Sequence, residues 1–297
     1  DITDGVGANI IVDEFGGEVK RVLPRVNEDI NQEWISDKAR FCYDGLINQR
    51  LDKPFIKNNK AKLQACNWDK ALSKFQDYLT VFKKEDIAVI AGALSDVETM
   101  YVAKDLFNSY GIYNLDCRFN GSSYDTKSRA DYLFNASING IDQVDKMLII
   151  GCDPKREATL VNARIRQRWL TGEMEVANMC TPTNLTYSST HFGNDISLLN
   201  DNNFLKKLND FFKGSKFPML ILGDSILSSD DGANIHKKVK FLVQELNIVR
   251  KAWNGFCVLN SYASRVGGLD VNFLTTKSGL DVQSIIKRLN KKTIKLL

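Results

Sequence analysis

The chain has 297 residues, 43% hydrophobic and 26% charged, with a net charge of +4. This is ordinary globular composition, long enough for one large core or two smaller ones. No apolar run approaches a membrane span, lysines and acids alternate along the chain, and none of the six cysteines forms a C-x-x-C pair. A direct membrane span, nucleic-acid binding and a local cysteine cluster therefore lack support.

Residues 9–15 and 18–23 are apolar, β-rich runs flanking Gly16-Gly17, a dipeptide that suits a two-residue turn, and they predict a hairpin. Gly5 and Gly7 precede the first run, whereas a dinucleotide loop follows its strand, so they read as a tight backbone turn. Trp34, Ile35 and Phe41 are expected to pack this region onto the remainder of the chain. Cys42, with no cysteine nearby, is expected to be a small buried hydrophobe. Asn67 can cap a helix on which Trp68, Ala71, Leu72, Phe75, Leu79 and Phe82 recur at helical spacing, and residues 86–91 then read as a buried strand. Ser95 and Glu98 form an expected capping box, with Gly111 stopping the helix they begin. Residues 113–139 are less regular and read as a long ordered loop.

Lys146–Ile150 reads as another strand, leading through Pro154 into a helix that carries Arg156, Arg164, Arg166 and Arg168 and ends at Gly172. Ion pairs with Glu157, Glu173 and neighbouring subunits are the expected use of those arginines. Residues 174–179 and 218–222 predict two further strands, the second followed by a helix over residues 232–246. Such alternation implies a parallel sheet covered on both faces. Residues 293–297 form a strand-like apolar run with unpaired backbone groups, so another polypeptide or a continuation of the chain is expected beside it.

Several features invite chemistry and have duller readings. The turn Ile90-Ala91-Gly92-Ala93-Leu94-Ser95 suits a phosphate at a helix N-terminus, but such turns are generic in doubly wound sheets. His191 and His236 lie far from each other and from any acid–cysteine grouping. Ser225 in Gly223-Asp224-Ser225 lacks the glycine that completes a nucleophile elbow. Asn120, Asn135 and Asn184 begin glycosylation sequons, which have meaning only with secretion.

Asp1, Asp4, Ala8 and Ser36 are separated by two, three and twenty-seven residues. Around and after them run Leu23-Pro24-Arg25, Asn27-Glu28-Asp29-Ile30-Asn31, Glu33-Trp34-Ile35-Ser36-Asp37-Lys38 and Arg40-Phe41. A second block, Gly151-Cys152-Asp153-Pro154-Lys155-Arg156-Glu157-Ala158 with Asn162-Ala163-Arg164-Ile165-Arg166, follows more than a hundred residues later. Together these resemble the large iron–sulfur subunit family of respiratory complex I, the NADH:ubiquinone oxidoreductase. In molybdopterin-type oxidoreductases a similar frame carries C-x2-C-x3-C-x27-C and holds a [4Fe–4S] cluster by its thiolates. Mitochondrial-type members of the resembled family have lost this extra cluster, whereas some bacterial relatives keep it.

The resemblance implies an α/β fold. A small β-rich remnant of a [4Fe–4S] domain over residues 1–50 would precede a parallel-sheet, molybdopterin-oxidoreductase-like domain over residues 51–297, incomplete at its C-terminus. Asp1, Asp4, Ala8 and Ser36 would be vestigial cluster positions, and the chain would hold no catalytic residue, metal or cofactor. The family's [2Fe–2S] and [4Fe–4S] clusters would sit on an N-terminal region missing here or on a partner. The implied role is a structural core segment of the peripheral arm of complex I, on the matrix side of the mitochondrial inner membrane. It would support electron transfer from NADH to ubiquinone coupled to proton pumping. The implied partners are other peripheral-arm subunits, including a cluster-bearing segment and a chain completing the C-terminal half. Two alternatives stay open: a molybdopterin-dependent oxidoreductase fragment and an unrelated nucleotide-binding α/β module.

Overall fold

A computed structural model describes residues 1–275 and 279–297. The chain opens with the expected antiparallel hairpin, β1 (Ile10–Phe15) and β2 (Glu18–Pro24). Gly16 and Gly17 turn it at φ angles of 66° and 82°, a region glycine enters without steric cost. A short helix, α1 (Asp37–Phe41), is capped by the Ser36 hydroxyl, which accepts from the Ala39 amide at 3.2 Å. Ile35, just before the cap, and Ala39, within the helix, are buried in one apolar cluster, 8% and 1% exposed. Trp34 and Phe41 are 54% and 65% exposed, so of the three expected packing residues only Ile35 serves.

The next elements are a hairpin of β3 (Phe55–Lys57) and β4 (Leu63–Ala65) and a helix, α2 (Trp68–Val81). Asn67 caps α2 as expected, accepting from the Lys70 amide at 3.0 Å. The apolar spacing of α2 makes no core, however: no residue from 41 to 86 is buried. Cys42 shares this exposure, which corrects its expected burial; its thiol reaches the Ala39 carbonyl at 3.6 Å.

Strand β5 (Val89–Ile90), helix α3 (Val97–Ser109) and strand β6 (Leu115–Asp116) form a small parallel unit. The cap of α3 is Asp96, whose carboxylate accepts from the Thr99 amide at 2.6 Å, and the expected Ser95–Glu98 box does not form. A full negative charge one residue further along serves the free N–H groups and the positive end of the helix better than a hydroxyl. The Thr99 hydrogen bond also holds the Asp96 carboxyl below its ordinary range.

The main sheet then begins with β7 (Lys146–Ile150), followed by α4 (Pro154–Glu157), α5 (Thr159–Leu170), β8 (Glu175–Met179) and β9 (Thr190–His191). After α6 (Asn202–Phe212) come β10 (Pro218–Gly223), α7 (Asp224–Leu227) and α8 (Gly232–Glu245). A minor hairpin, β11 (Val249–Arg250) and β12 (Trp253–Asn254), precedes β13 (Phe256–Leu259), α9 (Ser264–Asp270) and α10 (Val282–Asn290). The five-stranded sheet has the order β13-β10-β7-β8-β9, with every pair parallel. The chain moves outward from β7 to β9 and then returns to the other side of β7. The strand order thus reverses between β7 and β10.

Side chains along these strands alternate between two cores. Met147, Ile149, Met219 and Ile221 face one side, with Val161 and Ile165 of α5 and with Val6, Ala8, Val22, Ile35 and Ala39 from the N-terminal region. Leu148, Ile150, Leu220 and Leu222 face the other, under Phe204 and Leu208 of α6 and Val239 and Leu242 of α8. Arg164 ties the N-terminal region down further: it pairs with Asp142 and donates to the Glu28 carbonyl at 2.7 Å. Arg168 pairs with Glu173 as expected, but Arg156 pairs with Asp153, and among the described residues Glu157 takes no arginine. At the other end the expected strand over residues 293–297 reduces to one parallel bridge from Leu296 to Ile87, with Ile294 buried beneath it. Among the described residues no helix is long and apolar enough to cross a membrane.

This packing predicts that Ile35→Ala costs about 2–5 kcal/mol by urea denaturation, because it opens a cavity in the shared core. Trp34→Ala should stay within about 0.5 kcal/mol, because its ring is mostly in water.

Candidate functional site

Two regions hold the residues from which chemistry would be expected. The first is the N-terminal frame. Asp1 and Ala8 are joined by a hydrogen bond from the terminal ammonium to the Ala8 carbonyl at 2.8 Å. The Asp1 carboxylate accepts from the Thr3 amide, and the Asp4 carboxylate from the Val6 amide at 3.0 Å. Lys38, two residues beyond Ser36, reaches back to 3.7 Å from the buried Asp4 Oδ2, which has no hydrogen-bond partner among the described residues. The turn at Gly5 and Gly7 is as expected: Gly7 has φ 76°, and a Cβ on Gly5 would lie 2.1 Å from the Asn260 carbonyl oxygen.

A [4Fe–4S] cluster does not fit this donor set. The four positions offer two carboxylates, a methyl group and a hydroxyl, and the carboxylates and the hydroxyl are already engaged as acceptors. No thiolate stands among them, and thiolates are what hold such a cluster.

The second region lies at the carboxyl ends of β7, β8 and β10, where the reversal of strand order places the binding crevice of an open α/β sheet. Two glycines bring the strand ends together here. A Cβ on Gly223 would lie 2.4 Å from Cys152 Cβ, and one on Gly151 would lie 2.6 Å from Ile226 Cβ. Beside them is a hollow of about 340 Å³, lined by Asp153, Glu157, Cys152, Cys180 and Ser225 among others. Among the described residues no lysine or arginine lines it. Burial, reinforced by the Asp153 and Glu157 carboxylates, pushes both thiols above their ordinary range, and burial likewise raises the Glu157 carboxyl. The Ser225 hydroxyl donates to the Gly151 carbonyl at 2.7 Å, and the nearest described residues supply no histidine to activate it.

Next to the hollow, a buried polar clasp closes the crest of the sheet. Asp224 and Arg265 are each 1% exposed, with Arg265 Nη1 3.9 Å from Asp224 Oδ1. Ser122 donates to Asp224 at 2.6 Å, Asn120 at 3.1 Å, and Tyr124 donates to the same carboxylate. Arg265 donates to Asn120 Oδ1 at 2.7 Å and sits 5.5–5.9 Å from the rings of Phe119, Tyr124 and Tyr262. Burial, then the Asp224 charge, raises the Tyr124 phenol well above its ordinary range, so it stays a donor. Sequence reading missed this network. It weighs and sets aside Ser225, next to Asp224, and reads residues 113–139 as a long ordered loop. The length of that irregular segment inside an α/β body was the available signal.

The remaining candidates are accounted for locally. His236 is buried, taking a hydrogen bond from the Asp125 amide and contacting the Asp131 carbonyl at 2.8 Å, while His191 meets Asn178 at 2.6 Å. In the turn over residues 90–95, the Gly92 carbonyl accepts from Ser264, and the Asp96 carboxylate holds the helix N-terminus, where it would repel a phosphate.

This fold and these positions have counterparts among known proteins. Residues 50–297 match the family model for molybdopterin oxidoreductase, and residues 1–44 match the NADH-ubiquinone oxidoreductase NDSU1/NuoG-like, 4Fe-4S domain. The chain belongs to the molybdopterin oxidoreductase family, with its parallel α/β sheet. An NADH-quinone oxidoreductase subunit from Rickettsia conorii is 41% identical over 279 residues, covering 92% of this chain and 41% of that protein. The corresponding NADH-quinone oxidoreductase subunit from Rickettsia bellii is 39% identical over 285 residues, covering 94% and 41%. The chain thus spans about two fifths of the length of these curated relatives. Acetylene hydratase from Pelobacter acetylenicus is a more distant likeness, with a TM-score of 0.46 at 12% identity over 92% of this chain and 38% of that one.

A molybdopterin, implied by the family, does not fit the hollow at the switch point. Its phosphate is anionic, the described lining carries two carboxylates and no cation, and the nearby buried arginine is already held by Asp224 and Asn120.

Two expectations follow. Asp224→Ala strands a buried guanidinium and should cost about 3–5 kcal/mol by denaturation. Burial lowers the His236 pKa against the opposing pull of Asp131 and Asp125, with Lys240 adding to the lowering. The unfolded chain therefore binds this proton more readily, so the His236 contribution is complete above about pH 6.5 and is lost as pH falls through the lower folded value. In a pH series of denaturation midpoints, His236→Gln should flatten that acid-side decline.

Proposed function

We propose that the chain is a structural segment of a NuoG-like subunit within the peripheral arm of respiratory complex I, without a redox centre of its own. The observation that carries this reading is at Asp1, Asp4, Ala8 and Ser36. These positions fall inside the region matching the NuoG-like 4Fe-4S domain, yet carry oxygen donors and a methyl group committed to local structure. In this reading they are vestigial cluster positions, and the chain divides into a ligand-free β-rich unit over residues 1–50 and the α/β unit over residues 51–297. The family's clusters belong to a cluster-bearing segment or partner. Another polypeptide, or further chain, completes the α/β half.

The segment then acts by position, holding cluster-bearing neighbours at fixed separations while electrons pass from NADH to the quinone and protons are pumped. Placement on the matrix side of the mitochondrial inner membrane rests on the cysteine-free frame, which the resemblance associates with mitochondrial-type members; the curated relatives named above are bacterial. A working molybdopterin oxidoreductase is disfavoured by the acidic lining of the switch-point hollow.

Affinity-tagged chain should co-purify with NADH-oxidising, quinone-reducing activity. The isolated chain should contain no stoichiometric iron, and Ser36→Cys alone should add none, since one thiolate leaves three positions vacant. Replacing Asp1, Asp4, Ala8 and Ser36 together by cysteine should permit anaerobic reconstitution of a [4Fe–4S] signal. A cluster signal from the unsubstituted chain on reduction would overturn the reading.

A further inference from the structure

The charge of this chain is not spread as evenly as its total suggests. Residues 50–74 carry seven basic and two acidic side chains, a surplus of five, so the remainder of the +4 chain is net acidic by one. The same residues lie within the stretch from 41 to 86 that buries nothing. Between the β3–β4 hairpin and α2 opens a hollow of about 750 Å³, lined by Lys57, Lys60, Lys70 and Lys74 with Asp77 as its one acid among the described residues. None of these four lysines pairs with a carboxylate among the described residues; Lys74 instead lies 4.9 Å from the Tyr78 ring centroid. Elsewhere on the same elements Leu63, Trp68 and Leu72 stand 68%, 65% and 57% exposed.

We propose that this hollow docks an extended, acidic segment of a partner polypeptide, whose carboxylates meet Lys57, Lys60, Lys70 and Lys74. Four unpaired ammonium groups converging on one hollow repel each other, and an anionic occupant relieves that repulsion. The form of the occupant follows from the backbone. A two-stranded ribbon of three-residue strands is marginal alone and presents open edges, and an added strand supplies the missing hydrogen bonds. Alternation along such a strand places acids on one face, toward the lysines, and leaves every second side chain free to be apolar. A planar anionic membrane cannot enter a concave site. The near absence of arginine, with Arg50 alone in this segment, is unlike a nucleic-acid groove. The proposal does not depend on the assignment to the respiratory assembly.

The test uses the purified full chain and a fluorescein-labelled peptide of about twelve residues alternating Glu and Val, read by fluorescence anisotropy. Binding should be saturable at about 50 mM salt and weaken strongly at about 500 mM. Reversing the four lysines to glutamate (Lys57→Glu, Lys60→Glu, Lys70→Glu, Lys74→Glu) should weaken it by about tenfold or more. The corresponding Lys→Gln set, which keeps size and removes charge, should weaken it less. A control with Lys206→Glu, Lys207→Glu, Lys213→Glu and Lys237→Glu, all exposed elsewhere, should bind within about twofold of the parent. No salt-sensitive binding, equal weakening in the control, or tighter binding of single-stranded DNA or phosphatidylserine vesicles than of the peptide would each overturn the proposal.

Discussion

The constraint on which this molecule rests is the burial of its central strands on both faces. A parallel strand cannot leave one face in water, because the crossover helices that join such strands lie against the sheet. In β7 and β10 every second side chain belongs to a different core, and the two cores have different sources. One is closed by α6 and α8, as the chain order dictates. The other is closed partly by α5 and partly by Val6, Ala8, Val22, Ile35 and Ala39 from the start of the chain. The N-terminal region is therefore part of the packing of the sheet. Its contribution to that packing is apolar area and the Arg164 tie to Asp142 and the Glu28 carbonyl.

The same sheet sets what its carboxyl edge can do. Strand order reverses between β7 and β10, and the glycines at positions 151 and 223 let the strand ends approach until any side chain would collide. The resulting crest is closed by the chain's own groups. Asp224 and Arg265 neutralise each other in a site with almost no water, and Asn120, Ser122 and Tyr124 supply hydrogen bonds that a buried carboxylate requires. Two Arg265 nitrogens are left without hydrogen bonds among the described residues, against aromatic rings whose faces accept positive charge. The hollow that remains beside this clasp is acidic, with thiols that burial holds protonated. Its electrostatics suit rigidity rather than anion capture.

Opposite in character is the stretch from residue 41 to residue 86. It contains a well-capped helix and a hairpin, yet buries nothing, and residues 50–74 within it carry a positive surplus larger than the net charge of the whole chain. An apolar periodicity of 3.6 residues states that a helix has a face to cover; it does not state what covers it. In α3 that face reaches a core through Met100, whereas in α2 it is only half covered, with Phe75 edge-on to Phe107.

The sequence by itself determined the local elements and the family. The Gly16-Gly17 hairpin, the Asn67 cap and the strands over residues 146–150 and 218–222 all rest on residues close along the chain, where propensity and spacing act directly. Choices between near neighbours were less legible. The cap fell to Asp96 and not Ser95, and the packing contact to Ile35 and not Trp34 or Phe41, because neighbouring residues along a chain point their side chains in different directions. Only the tertiary structure decided where Cys42 lies, that Asp224 meets Arg265, and that Leu296 pairs with Ile87. Asp224 and Arg265 are forty-one residues apart, and Leu296 and Ile87 more than two hundred, and neither pair leaves a trace in local pattern. Burial of a polar pair is settled by what the whole sheet brings to one place, and no window of sequence contains that information.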